Sequence, residues 1–364
     1  MIIFQLIQKP QKRGAEIFAA QLSEKLQKLG HRVVLISLFE GVCDLPFSGE
    51  IIHLNRPLSK RWFDISGWKK LAQLVKEYKP DLVQCNAGDT LKFAVLSKLI
   101  FGWRSSIVAR NASTVSGYIK SKSTKKINEF LYSKTDAIIS VSEYSKKDLN
   151  QLFPVTKNKT TVIPIGVENQ IIHNVDWKEA DNSSFNIIHV GGFTFEKNHK
   201  GLINIWKLFL KKQPDANLHL FGDGPLRQEM ENLVTLDGLQ SSIAFYGWVA
   251  NPLDYIAKAD VLVLPSIIEG LPGVLLEAMF CKTIVVANNV GGISEIIKPN
   301  ETGFLAEKGD EREFASLMKK AIDLNTNDIS NQAYNLVEEH FSNDYIAQQF
   351  EKTYFKVINL KINK

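Results

Sequence analysis

Short apolar runs recur along the chain, each followed by a turn and then by a stretch with helical spacing of apolar positions. Met1 to Gln8, Arg32 to Leu38, Asp81 to Asn86, Ser105 to Arg110 and Asp136 to Val141 read as strands of one series. Ile187 to Val190, Leu218 to Phe221, Ile243 to Tyr246, Val261 to Leu264 and Thr283 to Ala287 read as a second. Continuous apolar runs of this length fit strands buried on both faces of a parallel sheet. After the first run, Arg13-Gly14-Ala15-Glu16 leads into an amphipathic helix with Ile17, Ala20, Leu22, Leu26 and Leu29 as core positions and Gly30 closing it. Helices are also expected over 91–101, from Ser142, over 202–210, and at 311–324, 328–340 and 343–357, whereas 41–70 reads as irregular. Alternating strands and helices in both halves predict an α/β protein of two Rossmann-like, doubly wound domains facing an interdomain cleft.

A length of 364 residues agrees, being too long for one ordinary core. The expected division is 1–170, 171–340, and a final helix in 341–364 crossing back to the first domain, with the polar stretch 169–184 as linker. Hydrophobic content of 45% and charged content of 23% are those of a globular protein. The N-terminus lacks the basic lead of a signal peptide, and no apolar window is long enough to span a bilayer. Three dispersed cysteines suggest neither a disulfide framework nor a metal cluster, which fits a reducing cytoplasm.

Charge is uneven. Residues 1–170 carry 26 Lys+Arg against 14 Asp+Glu, a net +12, and the remainder carries −7. Such asymmetry implies an anionic partner for the first half. No nucleic-acid motif is visible, which favours lipid headgroups at the inner membrane face or a lipid-diphosphate acceptor. The mixture of Arg56, Lys60, Arg61, Trp62, Trp68, Lys69 and Lys70 reads either as a membrane-interface surface or as a loop whose indoles pack on the core. Lys120, Lys122, Lys125 and Lys126 form a basic cluster, a lipid contact or a solvated face.

The most informative stretch begins at the run Val261 to Leu264. A turn follows, then an apolar helical run from about Gly273 to Cys281, with Pro272 suited to the first turn. Glu269 is expected at the strand end and Glu277 two turns into the helix. A strand–loop–helix unit presents amides to an anion, and a carboxylate accepts two hydroxyl donors well.

The frame Glu269-Gly270-Leu271-Pro272-Gly273 with Leu276-Glu277-Ala278-Met279 resembles the donor-site motif of glycosyltransferase family 4. That resemblance covers nearly the whole chain and is stronger from Val190 to Leu305. It implies the two-domain GT-B fold, a retaining and metal-independent transfer from a nucleotide diphosphate sugar (UDP favoured, GDP an alternative), and no cofactor. It also implies a glycan or lipid-linked acceptor, no nucleic-acid partner, and a cytoplasmic enzyme of cell-surface glycan synthesis.

Residue by residue, the resemblance implies that Glu277 holds the ribose and Glu269 the donor sugar. Gly14, Gly270, Leu271, Pro272, Gly273 and Lys197 border the diphosphate, Lys197 and Glu269 being the catalytic pair. Trp248 follows the strand whose backbone meets the nucleobase in relatives, and it either stacks on the base or packs. Five places depart from the family: Ile165 stands where an Asn is usual, Lys282 where a glycine is, and three more bear on the site. Arg13 replaces a glycine, either gripping phosphate or pointing to solvent. Gly192 stands where an arginine usually completes the diphosphate clamp. Arg110-Asn111 stands where a histidine is common, so Arg110 is either an anion-holding acceptor residue or a salt-bridged residue at the core edge. Asp-x-Asp, the cation-binding tripeptide of the other large glycosyltransferase fold, is absent. Two further readings remain: a sugar-nucleotide epimerase of the same shape, and a non-catalytic relative.

Overall fold

The computed structural model describes residues 1–11, 13–169, 171–175, 185–324 and 326–362. Most of the polar stretch expected as a linker lies outside them. Two compact units emerge, Met1–Glu168 with Asn343–Lys364, and Asn169–Ser342.

Unit 1 runs β1 (Ile2–Ile7), α1 (Gly14–Lys28), β2 (Arg32–Phe39), β3 (Glu50–Arg56), α2 (Ile65–Tyr78), β4 (Leu82–Cys85), α3 (Gly88–Phe101), β5 (Ser106–Asn111), α4 (Lys122–Ser133), β6 (Ala137–Ser140), α5 (Glu143–Leu152) and β7 (Thr160–Val162). All pairings are parallel, in the order β3-β2-β1-β4-β5-β6-β7. Strand order reverses at β1/β4, which makes the carboxyl ends of those strands the switch point of the sheet.

The stretch 41–70 is not irregular: it holds β3 and the start of α2. Strand β3 lies at the sheet edge and is largely half-exposed, so it carries no continuous apolar run. Trp68 is buried in the core, as the packing reading expected, whereas Trp62 is exposed beneath the Lys92 ammonium at 4.2 Å. In α1 the buried residues are Glu16, Phe18, Ala19, Ala20, Leu22, Ser23 and Leu26; of the expected core positions, Ile17 is only half-buried and Leu29 is exposed. Leu29 caps the helix rather than joining its last turn, and Gly30 follows at φ +88°.

Unit 2 runs β8 (Phe185–Val190), α6 (His199–Leu210), β9 (Ala216–Phe221), α7 (Arg227–Leu236), β10 (Ile243–Gly247), α8 (Pro252–Ile256), β11 (Val261–Leu264), α9 (Gly273–Phe280), β12 (Ile284–Asn288), α10 (Ile293–Ile296), β13 (Phe304–Ala306), α11 (Glu311–Asp323) and α12 (Asn327–His340). Its sheet order is β10-β9-β8-β11-β12-β13, parallel throughout, with the switch point at β8/β11. The final helix α13 (Asn343–Ile362) packs on α1 in unit 1, where Phe350 meets Phe18 with ring centroids 5.7 Å apart and Glu351 Oε1 lies 2.7 Å from His31 Nε2.

Candidate active site

At the unit 2 switch point the loops after β8 and β11 must lie side by side, because those strands are hydrogen-bonded neighbours. Lys197 comes from the first loop and Glu269 from the second. Lys197 Nζ donates to Glu269 Oε1 at 2.7 Å, with side chains 22% and 11% exposed. Two residues 72 positions apart in the chain thus form one half-buried ion pair at the carboxyl edge of the sheet.

Strand β11 stops at Leu264, so Glu269 belongs to the following loop rather than to the strand end. Pro265 has no N–H to continue the ladder. Its carbonyl is instead taken by the side-chain amides of Asn198 (3.1 Å) and Asn288 (2.9 Å). Asn288 also donates to the Ser266 carbonyl at 3.2 Å, and the Ile267 N–H to the Glu196 carbonyl at 2.9 Å. Beyond Glu269, the Gly292 N–H meets the Gly270 carbonyl at 2.8 Å. Gly291 must be glycine: it sits at φ +60°, and a Cβ would lie 2.1 Å from the Glu269 carbonyl oxygen. None of Asn198, Asn288 and Gly291 was among the expected site residues. The left-handed φ of +56° at Asn198 suits an Asn before a helix start, and is the kind of signal that marks such a support.

Helix α9 begins at Gly273, with Pro272 as its cap, so Glu277 lies one turn in rather than two. Its carboxyl is half-buried, and desolvation pushes it up to about 7. Gly270, Leu271 and Pro272 are buried, forming a fixed approach to the helix start.

Loops on the other side of the switch point are stitched together as well. Gly222 has φ +124°, and a Cβ there would meet the Gly191 carbonyl oxygen at 2.1 Å. The Gly191 N–H donates to Phe221 O at 2.9 Å and the Phe193 N–H to Asp223 O at 3.1 Å. Gly192 borders this seam with room for a side chain, the nearest atom to a Cβ being Asp223 O at 3.4 Å. Trp248 follows β10 and is 49% exposed. Beneath Lys197 lie two buried imidazoles not singled out from the sequence. His189 contacts His199 edge to face at 4.7 Å, and His199 stacks on Phe193 at 3.9 Å. Burial lowers them to about 4 and about 2, so both are neutral.

The remaining expected residues lie in unit 1. Gly14 opens α1 with no atom within 4 Å of a Cβ, so packing does not require glycine there. Arg13 is the exposed, extended cap residue of the same helix. Arg110 and Asn111 are buried inside β5. Arg110 stacks over Phe18 at 3.9 Å, and its Nη1 has no hydrogen-bond partner among the described residues. Asn111 donates to Ser140 Oγ and Ser145 O, both at 3.2 Å, tying β5 to β6 and α5.

Two parallel-sheet Rossmann-like domains are the architecture of the GT-B class. Residues 12–170 match the family described as Glycosyltransferase Family 4, and residues 174–336 match Glycosyl transferases group 1. The chain belongs to the family 4 glycosyltransferases.

Among its relatives is an uncharacterized glycosyltransferase of Haemophilus influenzae, 27% identical over 85% of this chain and 86% of that protein. The N-acetyl-alpha-D-glucosaminyl L-malate synthase of Bacillus anthracis is 24% identical over 96% and 95%. A Campylobacter jejuni N-acetylgalactosaminyltransferase, named for a diphospho-undecaprenol acceptor, is 26% identical over 64% of each chain. Among solved structures, Anabaena HepE in complex with UDP-glucose superposes with a TM-score of 0.81 at 21% identity, covering 97% of this chain and 99% of that one. A sucrose-phosphate synthase from Thermosynechococcus elongatus gives 0.83 at 20% identity, covering 99% of both.

Proposed function

We propose that this glycosyltransferase moves a sugar, with retention and without a metal, from a nucleotide diphosphate sugar to a glycan or lipid-linked acceptor at the inner face of a membrane. UDP is the favoured nucleotide. The observation that carries the reading is the meeting of Lys197 and Glu269 at the unit 2 switch point, with Glu277 one turn into the adjoining helix. In this reading Glu277 accepts the ribose hydroxyls and Glu269 the donor-sugar hydroxyls. Lys197, shared with Glu269, turns to the diphosphate. The amides at the start of α9 complete the anion site. Trp248 is exposed enough to cover a base.

Breaking the anomeric C–O bond leaves negative charge on the departing phosphate. A cation about 4 Å away stabilises that charge by roughly 4 kcal/mol at an effective dielectric near 20, or about 10³-fold in rate. In this reading Lys197 supplies that cation. If the leaving phosphate also takes the acceptor's proton on the same face, no strong protein base is needed, which accommodates Arg110 and Asn111 where relatives carry histidine. Acceptor recognition is assigned to unit 1, whose 30 Lys+Arg against 16 Asp+Glu suit an anionic substrate or membrane surface.

The test is a panel of UDP- and GDP-sugars with lipid-diphosphate acceptors in chelator, with the anomeric configuration of the product read by NMR. An inverted product, or activity abolished by chelator, contradicts the mechanism. An epimerised donor formed without acceptor contradicts the transferase reading.

A further inference from the structure

Unit 1 contains a cavity at the end of its sheet opposite the carboxyl ends of the strands. The cavity, of about 780 Å³, is lined by the C-terminal half of α2, the turn before β4, the segment from the end of α3 into β5, and the end of α13. Because it opens at the amino ends of β4 and β5, it cannot be part of the switch-point site of that sheet.

Its rim is cationic. Lys69, Lys76, Lys79, Arg104 and Lys361 line it, with Asp81 the sole acid among the lining residues. The Asp81 carboxylate is already engaged by the Ile2 N–H at 2.7 Å. None of Lys69, Lys76, Lys79 and Arg104 has an ion pair among the described residues. The carboxyl end of α2 contributes only about half a negative charge, far less than the surrounding positive charge. The floor is apolar: Val75 and Trp103 are buried, and Phe101 lies at the lip. Beside the lip, Leu99 and Ile100 are each 51% exposed and Phe101 37%. Three consecutive large apolar side chains facing solvent next to unpaired cations are poorly suited to water and well suited to an amphiphile.

We infer that this cavity binds the phosphate headgroup of an anionic phospholipid, with Leu99, Ile100 and Phe101 entering the acyl boundary. A free phosphate would use the rim but leave the apolar floor and lip exposed. The inference localises the membrane contact proposed above, but it does not depend on the donor site.

The test is flotation of the full chain with phosphatidylcholine vesicles, with and without phosphatidylglycerol, for the wild type and the Lys76→Gln/Lys79→Gln variant. Binding is expected only with phosphatidylglycerol. It should fall about fivefold for each charge removed, so about 30-fold in the double variant. Acyl-brominated phosphatidylglycerol should quench tryptophan emission, and Trp103→Phe should lose that quenching while still floating. UDP-sugar affinity is measured in parallel and is expected to be equal in all variants, so a failed donor site and a failed lipid site are separable. Undiminished flotation of the double variant, loss of flotation only on replacing Lys122, Lys125 and Lys126, or saturation by inorganic phosphate without vesicle binding would each overturn the inference.

Discussion

Glu277→Gln separates stability from function. Burial holds the carboxyl near 7 in the folded chain, against an ordinary value of 4.5. A folded-state pKa above the unfolded one means that the native state binds the proton more tightly. The stability lost to this group is absent below about 4.5, grows as pH rises from there, and is complete above about 7. A shift of this size corresponds to about 3 kcal/mol, and partial exposure brings it to about 2 kcal/mol. At pH 8 the neutral Gln should raise the melting temperature of the ligand-free protein by about 3 °C for a chain of this size. Donor affinity should move the other way. Charged hydrogen bonds to ribose hydroxyls are worth about 1.5–3 kcal/mol, so the variant should bind a UDP-sugar about 10- to 150-fold more weakly. Wild-type affinity should also fall about tenfold from pH 8 to pH 6 as Glu277 takes up its proton, a dependence that the Gln variant lacks. Thermal melts and calorimetry across that range read all three effects. A variant that melts lower without ligand and binds donor as well as the wild type would refute the assignment.

Further outcomes follow from the same geometry. Lys197→Met should reduce kcat about 10³-fold while the fold persists by circular dichroism; an unchanged kcat removes Lys197 from the chemistry. Gly192→Arg, with its nearest obstacle at 3.4 Å, should restore a second cation and lower the donor Kd severalfold by calorimetry, and an unchanged Kd in a folded variant argues against a diphosphate there. Gly291→Ala, forced against the Glu269 carbonyl, should cost more than about 1 kcal/mol of stability and most of the activity in urea melts and rate assays. His189, His199 and His219 are held by burial at about 4, 2 and 4, below the ordinary 6.5. They stay neutral while the unfolded chain takes up protons, so together they should remove about 4 kcal/mol per pH unit as pH falls from about 6 to about 4. Urea melts across that range should show a shallower slope for His199→Gln.

Most of the fold was legible because parallel strands buried on both faces announce themselves as apolar runs. Edge strand β3 did not, since only Leu54 of its residues is buried. Helix α2 was detectable from Trp68, Leu71 and Val75, one face at helical spacing, but the cations between them suggested a surface loop. At the site, the residue types in the β11–α9 unit were readable, whereas the end of the strand was not. Ile267 and Ile268 look like its continuation, yet Asn198 and Asn288, distant in sequence, capture the Pro265 carbonyl and turn the chain. The Lys197–Glu269 contact, the neutral histidine pair and the basic cavity all depend on which strands are neighbours, which local patterning does not encode.

The central claim is the place of donor binding, and hydrogen–deuterium exchange with a saturating UDP-sugar tests it most directly. Protection should appear in peptides spanning 191–200 and 265–280 of the wild type and disappear in the Glu277→Ala variant. Protection confined to other segments, or none in the presence of bound donor, would contradict the account.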